Sequence, residues 1–155
     1  MKKIMTATLL ACIMIVFSSY AFASSATKDE CVSMCKKAVA MISDKGIDAG
    51  LAEIGNPKGQ FVWKDSYIFV VDTKSGKVVT HPIKPGLVGK NLMGVKDVNG
   101  KLFFAEFLKV GQSSTGTGWV SYMWPKPGEK KPSKKNSYVL KVPDHSIIVI
   151  AGFYE

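Results

Sequence analysis

Four short β-type runs in the second half of the chain constrain its fold most: residues 66–72, 118–124, 137–140 and 147–150. Each is rich in Val, Ile, Tyr, Phe or Trp, the side chains that fit a pleated, half-buried surface. Strands send alternate side chains to opposite faces. Trp119 and Ser121 therefore share one side of their strand, and Val120, Tyr122 and Trp124 the other. Such a sheet can offer a wall of amphipathic rings to a ligand and still keep a solid core.

The remaining elements follow from periodicity and turn chemistry. Residues 27–54 read as helical, with Thr27 or Asp29 as N-cap, Glu30 in the first turn, and Val32, Cys35, Val39 and Ile42 as an apolar stripe. Gly46 and Gly50 divide the stretch into a long helix and a shorter one ending near Pro57. Residues 73–76 are a hairpin turn leading into a return strand at 77–81. The prolines at 82 and 85 break the sheet, and residues 86–98 read as an irregular loop. A further helix is expected over residues 101–110, capped by Asn99 or Asp97. A Pro- and Lys-rich loop at 125–133 then joins two of the last three strands. The order is helix, helix, two strands, helix, three strands, which predicts an α+β fold with an antiparallel sheet.

The first 23 residues stand apart from this pattern. Met1-Lys2-Lys3, an uncharged apolar run from 4 to 17, and Ala21-Phe22-Ala23 have the grammar of a secretory signal peptide cut after Ala23. Two alternatives share the segment: lipidation at Cys12 in Leu9-Leu10-Ala11-Cys12, or retention as an N-terminal anchor. Cleavage leaves residues 24–155 as one domain, periplasmic or secreted, without a further apolar span. That product carries 19 Lys, no Arg and 12 acids, a net charge of +7. A basic balance favours anionic partners. Export argues against nucleic acid, as does the lack of Arg, which reads phosphate and guanine in bidentate fashion.

Cys31 and Cys35 survive processing at a spacing of four, close enough on one helix face for a local disulfide and equally consistent with two reduced core thiols. The spacing matches neither a redox Cys-x-x-Cys nor a haem-attachment motif. There is no Gly-x-Ser-x-Gly, no phosphate loop and no metal-ligand cluster, so neither an enzyme nor a cofactor or metal is expected.

The ordered set of segments resembles single Cache domains of type 2, the PAS-like sensor domains of bacterial extracytoplasmic receptors. It includes Asp65 to Asp72, His81-Pro82, Leu87 to Leu92, Lys96 to Lys101, Gly116 to Tyr122, Trp124 to Gly128, Lys135 to Val139 and Ala151 to Tyr154. The resemblance implies a long N-terminal helix on a five-stranded antiparallel sheet, with a short organic acid or related solute held between sheet and loops and no catalysis. A membrane receptor or a second copy of the chain would be the signalling partner. The alternative readings are an interaction or dimerisation module without its own ligand, with the apolar helix stripe as its interface, and behind it an enzyme of uncharacterised chemistry.

A carboxylate needs donors around it. The candidates are Tyr67, His81, Trp119, Tyr122, Lys135 and Tyr138. Lys135 and Tyr138 match a Lys-x-x-Tyr pattern of the family, but their odd spacing puts them on opposite faces of a regular strand. The same holds for Trp119 and Tyr122, read here as wall and donor of a twisted strand. Trp63 and Trp124 are expected at the packing or the rim. The plain alternative is solvent for Lys135 and a local carbonyl partner for His81.

Overall fold

The computed structural model describes residues 25–155; the expected signal peptide, and Cys12 within it, lie outside them. Helix α1 (Lys28–Lys45) begins at a capping box. The Thr27 hydroxyl accepts from the Glu30 N–H, and the Glu30 carboxylate accepts from the Thr27 N–H, so two otherwise unpaired amides are satisfied at once. Gly46 separates α1 from α2 (Ile47–Gly55). The buried stripe of α1 runs through Cys31, Cys35, Ala38 and Ile42, with Val32 and Val39 only half-buried. This stripe packs on the sheet as core, which removes the reading of it as a free interface. Both thiols are free. Burial pushes the Cys31 thiol up to about 11 and the Cys35 thiol well above its ordinary range.

The strands are β1 (Val62–Trp63), β2 (Ser66–Asp72), β3 (Val78–Thr80), β4 (Thr117–Pro125), β5 (Pro132–Lys141) and β6 (Ile147–Tyr154). Their order is β1-β2-β6-β5-β4, all antiparallel, with the short β3 also paired to β2. The fold is thus α+β, with a long N-terminal helix and five ordered antiparallel strands. At the turn after β2 the Asp72 carboxylate accepts from the backbone of Lys74 and Ser75, while Gly76 takes φ +67°.

Both faces of the sheet are covered. One packs Ile68, Val70, Val149 and Ala151 against α1 and α2. The other packs Tyr67, Phe69, Val71, Ile148 and Ile150 against α3 (Phe103–Gly111). The N-cap of α3 is Leu102, not Asn99 or Asp97. The Asp97 carboxylate instead accepts from the N–H groups of Asn99, Lys101 and Met123, each at 2.9 Å. One side chain thereby closes its own turn and fastens it to β4. Burial pushes this carboxyl up, but the Met123, Lys101 and Asn99 amides outweigh it and hold the group below its ordinary range.

Candidate ligand-binding site

A small cavity lies between the α3 face of the sheet, α3 itself and the Pro-broken segment after β3. Its volume of about 10 Å³ gives room for about one water molecule. The sheet supplies Tyr67, Phe69, Tyr122 and Trp124, and His81 closes one side at the end of β3. Phe103, Phe104 and Leu87 cover it from α3 and the loop. The Phe103 and Tyr122 rings stack at 4.4 Å, 6° from parallel, which makes a flat, rigid wall.

Parity positions the polar groups. Lys135 and Ser137 share a face of β5, and Lys135 pairs across the sheet with Tyr122 on one side and Tyr154 on the other. The Lys135 side chain is fully buried beneath the Tyr67 ring, with Nζ 4.1 Å from that ring centre and 4.9 Å from that of Tyr154. Its ammonium has no hydrogen-bond partner among the described residues. A buried cation with three donors and no acceptor is held only by the quadrupoles of two rings. The room for it comes from Gly152. A Cβ there would collide with Ser137 Oγ and stand 2.7 Å from Lys135 Cε.

His81 is 4% exposed and sits against the rings of Tyr67 and Phe69, with centroids at 4.9 and 5.3 Å. Its Nδ1 accepts from the N–H groups of Ile83 and Lys84 at 3.3 and 3.0 Å. In the neutral ring the proton is therefore on Nε2, a donor. Burial, and then the charges of Lys135 and Lys84, lower its pKa to about 3. The Tyr122 hydroxyl lies 3.1 Å from Ser137 Oγ, and burial raises its pKa well above the ordinary value. The Tyr154 hydroxyl donates to the Pro125 carbonyl at 2.9 Å. The cavity is lined by the polar side chains of Tyr67, His81 and Tyr122 among aromatic rings, and the Lys135 cation lies behind the Tyr67 ring, outside the lining.

Four of the six candidate residues, Tyr67, His81, Tyr122 and Lys135, are brought together here. Trp119 and Tyr138 are not. They face each other at 5.2 Å on the opposite side of the sheet, with Phe153 beside Trp119 and Lys28 over its ring. The two parity conflicts are thus resolved in favour of Tyr122 and Lys135. Trp124, expected at the rim or in packing, lines the cavity, with the Lys84 ammonium 4.4 Å above its ring. Phe69, Leu87, Phe103, Phe104, Ser137, Gly152 and Tyr154 were not among the candidates. The i,i+2 spacings Tyr67/Phe69 and Lys135/Ser137 carry a signal for two of them; Gly152 has no side chain to give one.

Comparison with known proteins places this geometry. Residues 34–155 match the family described as Single Cache domain 2. A curated relative, the methyl-accepting chemotaxis protein McpP of Pseudomonas putida KT2440, is 31% identical over 90 residues, which are 58% of this chain and 16% of that receptor. The chain thus corresponds to a small part of the length of that relative. Among solved structures, a periplasmic sensor domain of a chemotaxis protein is 29% identical with a TM-score of 0.65, covering 81% of this chain and 88% of the other. A methyl-accepting chemotaxis protein from Vibrio parahaemolyticus RIMD 2210633 is 26% identical with a TM-score of 0.69, covering 82% and 87%. A Cache chemosensory domain described for carboxylic acid recognition is 26% identical with a TM-score of 0.63, covering 81% and 86%. These are sensor domains of chemoreceptors, not enzymes. From its fold, its cavity between sheet and crossing segment, and a match over nearly all the described residues, the chain belongs to the Single Cache domain 2 family.

Proposed function

We propose that this chain is an extracytoplasmic binding domain for a short organic acid, a monocarboxylate rather than a dicarboxylate. The observation that carries the reading is the buried Lys135 ammonium without a hydrogen-bond partner among the described residues. A buried charge is retained at a cost of several kcal/mol unless a counter-charge meets it, and a carboxylate is the counter-charge that fits. His81 is neutral, so the one buried positive charge beside the cavity is the Lys135 ammonium, while Lys84 stands half-buried over the outer ring of Trp124. A second carboxylate would be buried without a partner. The small cavity fits the unliganded state; a ligand of a few heavy atoms enters by displacing the Tyr67 ring from Lys135. The carboxylic acid recognition described for one structural neighbour supports the same chemistry. We place the domain in the periplasm or outside the cell after cleavage at Ala23, with a membrane receptor or a second copy as its signalling partner.

Thermal unfolding with acetate, propionate, lactate, pyruvate and succinate tests the reading. At ~100 times Kd a ligand stabilises by about 2.7 kcal/mol, roughly 10 °C in Tm for a domain of this size. The monocarboxylates should shift wild type, succinate should not, and Lys135→Met should respond to none. Absence of a shift with every acid would refute the proposal.

A further inference from the structure

Cys31 and Cys35 are fully buried, and both are free thiols. They stand one turn apart on the face of α1 that meets the sheet. The Cys35 thiol points at the Tyr138 carbonyl of β5, with Sγ 4.0 Å from the oxygen. The Cys31 thiol meets the Ser66 side chain of β2, whose hydroxyl donates to the Gly152 carbonyl of β6 at 2.7 Å. The two sulfurs thus fill the seam where the first turns of α1 rest on the three central strands.

Helix geometry keeps this pair apart. Residues one turn apart satisfy the Cα separation that a disulfide needs, but their Cβ atoms are about 5–6 Å apart. A relaxed disulfide requires about 3.5–4.5 Å. Closing the bond therefore unwinds the turn from Cys31 to Cys35 and lifts both sulfurs out of the seam. It also pulls on the contacts that fix the start of α1: the Thr27 capping box, the Glu30–Lys64 ion pair and the Ala26 N–H donated to Asp65. In the unfolded chain nothing holds the sulfurs apart, and the three residues between them keep the thiols at a high effective concentration.

We propose that the pair is a redox fork in folding. A chain that reaches the sheet as a dithiol builds α1 and buries both thiols; a chain in which Cys31 and Cys35 have joined cannot dock the first turns of α1. The oxidant is a disulfide, such as oxidised glutathione or a dithiol–disulfide oxidoreductase. One cysteine thiolate attacks a sulfur of the oxidant and expels the first leaving thiolate. The second cysteine thiolate then attacks the protein sulfur of that mixed disulfide and expels the other. Two electrons and the two thiol protons pass from the protein to the oxidant, which leaves as two thiols. Folding closes this route, because burial disfavours the thiolate that must attack. The fork is independent of the ligand site, so it stands or falls separately from the carboxylate reading.

A glutathione redox titration tests it, using residues 24–155, since both cores are built within residues 31–154. The intramolecular disulfide is read by mass, in native buffer and in roughly 8 M urea. Linkage is reciprocal, so a fold that excludes the bond must lower its equilibrium constant; the value should be at least ~10-fold smaller in native buffer. Chain oxidised in urea and returned to native buffer should exchange its amides at residues 32–39 at least ~10-fold faster than the dithiol chain, and dithiothreitol should restore protection. Cys31→Ala with Cys35→Ala, carried through the same glutathione and urea cycle, should keep its protection. If that pair fails to fold, dithiol chain carried through urea with dithiothreitol serves as the same control. Equal constants in the two solvents overturn the proposal. So does an oxidised chain protected like the dithiol chain, or an equal loss of protection in the control.

Discussion

Lowering the pH should destabilise this domain through His81 in particular, and the size of the effect follows from its surroundings. To gain a proton, the ring must give up Nδ1 as acceptor for two backbone N–H groups. It must also place a third cation beside Lys135 and Lys84 while packed against Tyr67 and Phe69. The pKa falls from its ordinary 6.5 to about 3. Between these values the unfolded chain binds the proton and the folded one does not, so stability rises with pH. The contribution is complete above 6.5 and decays as pH falls towards 3, at about 1.4 kcal/mol per unit. From about pH 7.5 to about pH 5 the loss is about 2 kcal/mol. Urea unfolding of wild type and His81→Asn at the two pH values isolates this contribution. The Asn Oδ1 can still accept from the Ile83 and Lys84 amides but does not titrate, and the groups shared by both proteins cancel in the difference. Wild type should lose about 2 kcal/mol more than the variant. Equal losses would mean that the ring titrates as it does in water, and the enclosed, tautomer-locked His81 would be the wrong picture.

Lys135→Met removes an ammonium without a hydrogen-bond partner while keeping most of the side-chain volume, and should stabilise the ligand-free protein by about 1–3 kcal/mol in urea; destabilisation would show that the two rings satisfy the charge. Gly152→Ala should cost about 1–3 kcal/mol, because the added methyl meets Ser137 Oγ, Lys135 Cε and the Asn136 carbonyl; an unchanged Tm would contradict that close approach. Asp97→Ala leaves three amides without their acceptor and should cost about 1–3 kcal/mol, with faster hydrogen exchange at Asn99, Lys101 and Met123. Unaltered exchange at Met123 would show that the turn holds to β4 without the carboxylate. Phe103→Ala opens the stacked wall beside Tyr122 and should cost about 3–5 kcal/mol in the same urea assay; a loss below about 1 kcal/mol would mean that the wall is loosely packed.

Strand positions and side-chain parity are legible in the sequence because period two survives in any sheet. The run at residues 66–72 coincides with β2 at both ends, and the opposition of Trp119 to Tyr122 and of Lys135 to Tyr138 is visible without coordinates. Which member of each pair meets the cavity is not legible, for a physical reason. Helices cover one face and α3 with its crossing segment the other, so β4 and β5 pack large side chains on both faces, Trp119 and Tyr138 on one and Val120 and Tyr122 on the other. Alternation then says that two residues are opposed, not which of them faces the ligand. The cap of α3 misleads because Asp97 has the chemistry of an N-cap but bonds its own turn and a neighbouring strand instead. Phe103 and Phe104 look like ordinary core residues of a helix, and only the packing of α3 over Tyr122 makes them cavity walls.

The strand order has a kinetic consequence. β6 follows every other strand in the chain, yet it lies between β2 and β5 and is the element that joins them. Without it, the β1-β2-β3 group and the β4-β5 hairpin share no ladder, and α1 has lost the strand it contacts most. Completing the sheet requires closing long loops before the contacts that reward them can form, a high-contact-order topology that folds slowly. For the exported chain proposed above, that delay is an advantage. A polypeptide threaded across a membrane must stay extended during the crossing, and a sheet that cannot lock before its last strand arrives keeps it so.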